Sequence, residues 1–107
     1  MSSFLHIDEL PEREVQPGMR ARIAHGRGMT IAWWEIDDGA VLPEHAHPHE
    51  QIVSVIEGRV ELTLGGETRV LDAGSVVLIP SNVPHSGRAL ARCRVIDVWH
   101  PVRDDLR

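Results

Sequence analysis

Residues 58–75 read Gly58-Arg59-Val60-Glu61-Leu62-Thr63-Leu64-Gly65-Gly66-Glu67-Thr68-Arg69-Val70-Leu71-Asp72-Ala73-Gly74-Ser75. Val60, Leu62 and Leu64 alternate with Glu61 and Thr63, the period of a strand with one face in a core and the other toward water. Gly65-Gly66 supplies the positive φ angles of a two-residue hairpin turn. Gly58 turns the chain before this strand, and Ala73-Gly74 turns it afterwards.

The same signature extends outward. Segments are short, rich in Val, Ile and Leu, and bounded by Gly or Pro, with no sustained 3.6-residue period. Strands are expected at 20–24, 29–36, 51–57, 59–64, 68–71, 75–79 and 93–99, and their even spacing points to an all-β sandwich or barrel. Residues 1–18, with Pro11 and Pro17, read as a loosely packed arm, 19–100 as the barrel, and 101–107 as a tail with one short helical turn behind Pro101. Trp33 and Trp34 point to opposite faces, one filling the barrel and the other packing outside, as in a dimer.

A chain of 107 residues is one domain. With 42% hydrophobic and 25% charged residues, wholesale disorder and fibrous repeats are excluded. Eleven basic against 16 acidic residues give a net charge of −5, which offers no field for nucleic acid or an anionic membrane. All the basic residues are arginine, so Schiff-base, pyridoxal phosphate and P-loop lysine chemistry are out, and the absence of tyrosine removes phenolic acid–base chemistry. Cys93 stands alone and can neither close a disulfide nor start a cysteine metal site. The first nine residues lack a basic region and acquire acid before an apolar run forms, and no stretch approaches the ~20 apolar residues of a membrane span. A cytoplasmic protein is the expectation.

Histidine carries the chemistry, with seven in the chain and three at His45, His47 and His49. Residues two apart on a strand project to one side, so His45 and His47 present their imidazoles to one point. Such a pair alone is more often a surface or packing feature than a metal site. His6, His25 and His100 read as surface residues, and Arg88, Arg92 and Arg94 as rim charges.

Gly39, His45, His47, Gln51 and Gly58 fall at the spacings of G-x5-H-x-H-x3-E-x6-G, with glutamine at the glutamate position. Gly74, Pro80 and His85 match G-x5-P-x-G-x2-H, with Asn82 where glycine is usual and Ala89 where asparagine often stands. Asn tolerates left-handed backbone nearly as well as glycine. Over residues 29–99 the chain thus resembles the cupin superfamily. The resemblance implies a double-stranded β-helix (a jelly-roll barrel) whose ligands His45, His47, Gln51 and His85 hold one divalent ion, Ni, Zn, Mn, Co or Fe, near one mouth. Glu50 is the stronger donor by charge, but the motif spacing falls on Gln51, and a one-residue slip turns Glu50 to the opposite face. His49 shares the parity of His47, but Pro48 interrupts the strand, so His49 is expected at the rim, as a substrate contact.

Four neutral ligands leave the full +2 charge to polarise an oxygen, which favours a non-redox role. The run from His45 to Gln51, then Pro80 to His85, Ile96-Asp97-Val98-Trp99 and Arg103, is similar to the KdgF-like cupins of uronate catabolism, which open 4,5-unsaturated uronates to linear keto-aldehydes. That likeness implies Asp97 as proton shuttle, Arg103 as a catalytic clamp on the substrate carboxylate, and Trp99 as a wall for the sugar, acting on a small anionic sugar acid. Cys93, Val95, Asp97 and Trp99 share one strand face, which turns Asp97 inward. The structural alternatives are Asp97 capping a loop or pairing with an arginine, Trp99 as plain core, and Arg103 solvated beside Asp104 and Asp105. The competing functions are a non-catalytic sugar-binding or sensory module and a cupin oxygenase. The resemblance also implies a homodimer, with the N-terminal arm or an edge strand exchanged between subunits.

Overall fold

The computed structural model describes residues 3–107. Within them the strands are β1 (Glu12–Gln16), β2 (Met19–His25), β3 (Thr30–Ile36), β4 (Val41–His45), β5 (Glu50–Glu57), β6 (Arg59–Leu64), β7 (Glu67–Asp72), β8 (Val76–Ile79), β9 (His85–Ala89) and β10 (Cys93–His100). They form two antiparallel sheets, one of six strands in the order β1-β2-β3-β10-β5-β8 and one of four in the order β4-β9-β6-β7. Strands adjacent in space are mostly distant in sequence, the crossed connectivity of a jelly roll.

The alternation legible in the sequence fixes which faces meet. Along β3 Thr30, Ala32, Trp34 and Ile36 are buried while Ile31, Trp33 and Glu35 lie half-buried outside. Cys93, Val95, Asp97 and Trp99 point inward from β10. These side chains, with Met19, Ala21, Val53 and Ile79, make the main core between the sheets. The hairpin around Gly65-Gly66 pairs Leu64 with Glu67 across two positive-φ glycines.

Three strands depart from the sequence expectation. Residues 12–16 are not a loose arm: they pair as β1 with β2, from Glu12↔Arg22 to Gln16↔Met19. Charge along Glu12-Arg13-Glu14 hid the strand, yet charge is what an exposed sheet edge tolerates. β4 contains Pro43, and β9 reads His-Ser-Gly-Arg-Ala, so neither has the β-branched pattern used to find strands. The turn behind Pro101 is a short 3-10 turn, Asp104–Leu106, whose Leu106 is buried in the core. Arg13 holds that end by donating to the carbonyl oxygens of Leu106 and Arg107. Among the described residues no helix is long and apolar enough to cross a membrane.

Candidate metal centre

His45 ends β4 and His85 begins β9, and the two are cross-strand partners with ring centroids 4.2 Å apart. His47 is not on the strand with His45: β4 stops at His45, and His47 lies in the loop before β5. Loop geometry, not strand parity, therefore brings the two rings together. That loop is pinned by Asn82 N–H donating to the His47 carbonyl (2.8 Å) and Ser81 Oγ donating to the Pro48 carbonyl (2.6 Å). Asn82 sits at φ 66°, the left-handed conformation that asparagine adopts at low cost. Gln51, at the start of β5, is buried between Trp99 of β10 and Ile79 of β8, whereas Glu50 is exposed.

Each imidazole is oriented by a backbone carbonyl: His45 Nδ1 lies 3.0 Å from Pro43 O, His47 Nδ1 3.0 Å from His49 O, and His85 Nδ1 2.9 Å from Val83 O. A carbonyl only accepts, so Nδ1 carries the proton in all three rings and Nε2 is left with a lone pair. Donor atoms of the three rings lie within 4.8 Å of one another. His85 Nε2 is buried with no hydrogen-bond partner. His47 Nε2 stands 3.0 Å from Gln51 Oε1, so two lone pairs face each other. Donors about 2.1 Å from an ion and at right angles stand about 3 Å apart, so the set fits a small divalent cation. Burial, the largest effect on both His47 and His85, lowers their pKa and keeps the rings neutral, the state a ligand needs.

A cavity of about 300 Å³ opens beside this cluster and brings Asp97, Trp99 and Arg103 to His45 and Gln51. Asp97 is 9% exposed, and burial pushes its carboxyl up to about 7. The polar groups facing it are the Gln51 amide and the Trp34 indole, with the Arg103 charge farther off. Asp97 Oδ1 and Trp34 Nε1 are both buried without a hydrogen-bond partner. Asp97 thus neither caps a loop nor forms an ion pair among the described residues.

Arg103 is not a solvated tail residue, because its side chain is only 13% exposed. Asp105 holds it through two bonds, Nε to Oδ1 at 2.9 Å and Nη2 to Oδ2 at 2.7 Å, and its guanidinium carbon lies 5.1 Å over the Trp99 ring. Trp99 is 3% exposed, lines the cavity and carries the Arg103 guanidinium over its ring. His49 does not line the cavity; its carbonyl orients His47 and its ring packs 5.4 Å from the His47 ring. His25 is half-buried, against Thr30 Oγ1, and is no simple surface residue.

The sequence reading missed four contributors. Trp34 faces Asp97, and Asp105 fixes Arg103; the Arg103-x-Asp105 spacing was the available signal for the second. Gln16 and Glu44 line the cavity from β1 and β4, strands that were themselves not foreseen.

With this geometry in hand, comparison with known proteins places the chain. Residues 32–99 match the cupin domain family model. The pectin degradation protein KdgF of Dickeya dadantii is 30% identical over 98% of each chain. The structure of KdgF from Halomonas sp. superposes with a TM-score of 0.91 at 34% identity, covering 100% of both chains. An RmlC-like cupin from Shewanella frigidimarina shares the fold at a TM-score of 0.93 and 24% identity, over 100% of this chain and 97% of the other. The chain belongs to the cupin family, as a single-domain protein of the RmlC-like fold with KdgF proteins among its homologues.

Proposed function

We propose that this cupin is a metal-dependent enzyme that opens the ring of 4,5-unsaturated uronate monosaccharides and delivers the linear keto-deoxyuronate. The observation that carries the reading is the meeting, at one cavity of about 300 Å³, of His45 and Gln51 from the donor cluster, a buried carboxyl with one oxygen unpartnered, and a guanidinium held by a second acid. The homology to KdgF supplies the substrate class.

Arg103 would bind the substrate carboxylate through the N–H groups that Asp105 leaves unused, and Asp105 with Trp99 holds it in place for this. Asp97 would take the proton of the anomeric hydroxyl as the C1–O5 bond breaks and return a proton to C4, so the reaction is an isomerisation with no net gain or loss of atoms. A divalent ion held by His45, His47, Gln51 and His85 would supply Lewis acidity with no change of oxidation state. The apolar wall from Met19, Leu42 and Leu106 limits water around the reacting atoms.

The test is the decay of conjugated absorbance when metal-loaded protein meets an unsaturated uronate. Acceleration by the wild type, with loss of turnover but full metal content in Asp97→Asn, is the expected result. A decay rate no faster than the uncatalysed one in fully loaded protein refutes the activity; an unimpaired Asp97→Asn refutes the shuttle.

A further inference from the structure

On the inward face of β3 the residues Ala32, Trp34 and Ile36 are apolar, but the first position is Thr30, which is 0% exposed. A hydroxyl taken out of water is costly unless its hydrogen bonds are replaced. Thr30 replaces them twice. Its Oγ1 lies 2.9 Å from the backbone nitrogen of Arg103 and 2.8 Å from Nδ1 of His25, its cross-strand partner on β2. The Arg103 N–H can only donate, so the Thr30 oxygen accepts there. Its single proton then goes to His25 Nδ1, and the proton of the neutral imidazole sits on Nε2, the reverse of the arrangement in the three rings of the metal centre.

The bond to Arg103 reaches a segment that belongs to neither sheet, since β10 ends at His100. Asp105 grips the Arg103 guanidinium, yet Asp105 lies in the same short turn, Asp104–Leu106. Its grip therefore fixes the guanidinium relative to the turn and not relative to the barrel. Two side chains tie the main chain of this segment to the barrel: Arg13 at the far end, through the Leu106 and Arg107 carbonyls, and Thr30 at Arg103 itself. Thr30 is also the cross-strand partner of Trp99, the ring over which the guanidinium lies.

We propose that Thr30 is a positioning residue of the site: its hydroxyl, turned by His25, sets where Arg103 stands against the barrel and so the geometry in which Arg103 meets an anion in the cavity. This rests on the reading of Arg103 as the group that binds the substrate carboxylate. Neither Thr30 nor His25 lines the cavity, so both act through Arg103. A guanidinium and a carboxylate pair through two parallel bonds, and a misplacement of about 1 Å can cost about 100-fold in rate. Valine would fill the same space as Thr30, so packing alone does not call for the oxygen.

The experiment compares Thr30→Val with Thr30→Ser in zinc-loaded protein. With an unsaturated uronate as substrate, Thr30→Val should raise KM about 10-fold and leave kcat within about 2-fold, because the contact it disturbs is made before and during the reaction alike. Thr30→Ser keeps the hydroxyl and should restore KM to within about 2-fold of wild type. A wild-type KM in Thr30→Val overturns the proposal, and so does an equal defect in both variants, which would assign the effect to the lost methyl or to packing. Hydrogen exchange of the Arg103 amide, followed by NMR, reads the anchor without turnover: it should be about 10-fold faster in Thr30→Val and near wild type in Thr30→Ser. An inactive wild type would refute the enzyme reading alone, whereas unchanged amide exchange in Thr30→Val refutes the anchor whether or not the wild type turns over. Should Thr30→Val fold poorly, His25→Ala leaves the inward face of β3 intact and frees the Thr30 hydroxyl to turn. Faster exchange at Arg103 is then expected, and wild-type exchange together with a wild-type KM overturns the relay.

Discussion

Gly58 offers a sharp test of how β10 is seated. The residue sits at φ +90°, and a Cβ built there would stand 2.7 Å from Cys93 Sγ and still nearer the Arg92 carbonyl oxygen. Alanine at this position therefore meets two costs. Left-handed backbone costs an L-residue roughly 1–2 kcal/mol, and displacing packed neighbours costs about 1–3 kcal/mol. Lower entropy of the unfolded chain returns about 0.4–1 kcal/mol. Gly58→Ala should lose about 3 kcal/mol in net terms, a fall in Tm of about 15 °C for a domain of this size. Gly66→Ala is the matched control, because Gly66 has the same φ of +90° and nothing within 4 Å of its built Cβ. It carries the backbone cost alone, about 1 kcal/mol after the entropy return. Urea denaturation of both variants isolates the close approach as their difference, about 2 kcal/mol. Equal losses in the two would mean that Arg92 and Cys93 do not crowd Gly58, and that the start of β10 is free to shift.

Two further predictions concern the site. His85→Ala should weaken zinc or nickel binding at least 100-fold by titration calorimetry, because it deletes a donor that is buried and without another partner; undiminished affinity would remove His85 from the ligand set. Asp105→Asn should cost about 1 kcal/mol at pH 7, the Arg103 bond having lowered Asp105 to about 2, with the figure discounted for an acid side chain 60% exposed. Since the folded-state pKa lies below the unfolded 3.8, this stabilisation is complete above pH 4 and fades as pH falls through 2, so the variant and wild type should converge in acid denaturation; a gap that persists at pH 2 contradicts the assignment.

What the sequence made legible follows from how local each signal was. The Gly58 to Leu71 hairpin was readable because two-residue alternation and a Gly-Gly turn are properties of contiguous residues. The spacing of His45, His47, Gln51 and His85 was readable only through a motif, since their convergence depends on β4 pairing with β9 across 40 residues of chain. The parity argument for His45 and His47 picked the right residues for an incorrect reason: the strand ends between them, and the Asn82 and Ser81 bonds to the loop do the positioning. β1, β4 and β9 were illegible because a charged edge, a proline and a glycine-containing strand all obey local rules for non-strand, and their neighbours override those rules. The contact of Arg103 with the Trp99 ring was illegible because sequence shows an aromatic near an arginine but not how the chain after Pro101 folds back over it.

The two faces of the larger sheet differ in what they carry, and the two-residue period of a strand makes this possible. On β5, Gln51 and Val53 face the barrel while Ile52 and Ile56 face outward; on β10, Asp97 and Trp99 face inward while Ile96 and Val98 do not. A substitution on the outer face therefore leaves the cavity lining untouched, whereas a one-residue slip of either strand would exchange the two sets and dismantle the site. The buried site contains atoms that gain nothing from the apoprotein fold: His85 Nε2, Asp97 Oδ1 and the opposed pair at His47 and Gln51 all destabilise a metal-free core. Such a concentration of unmet polar atoms persists only where surrounding packing is strong enough to hold it, and here that packing is the inner face of β3, β10 and β5, the strands at the middle of the larger sheet.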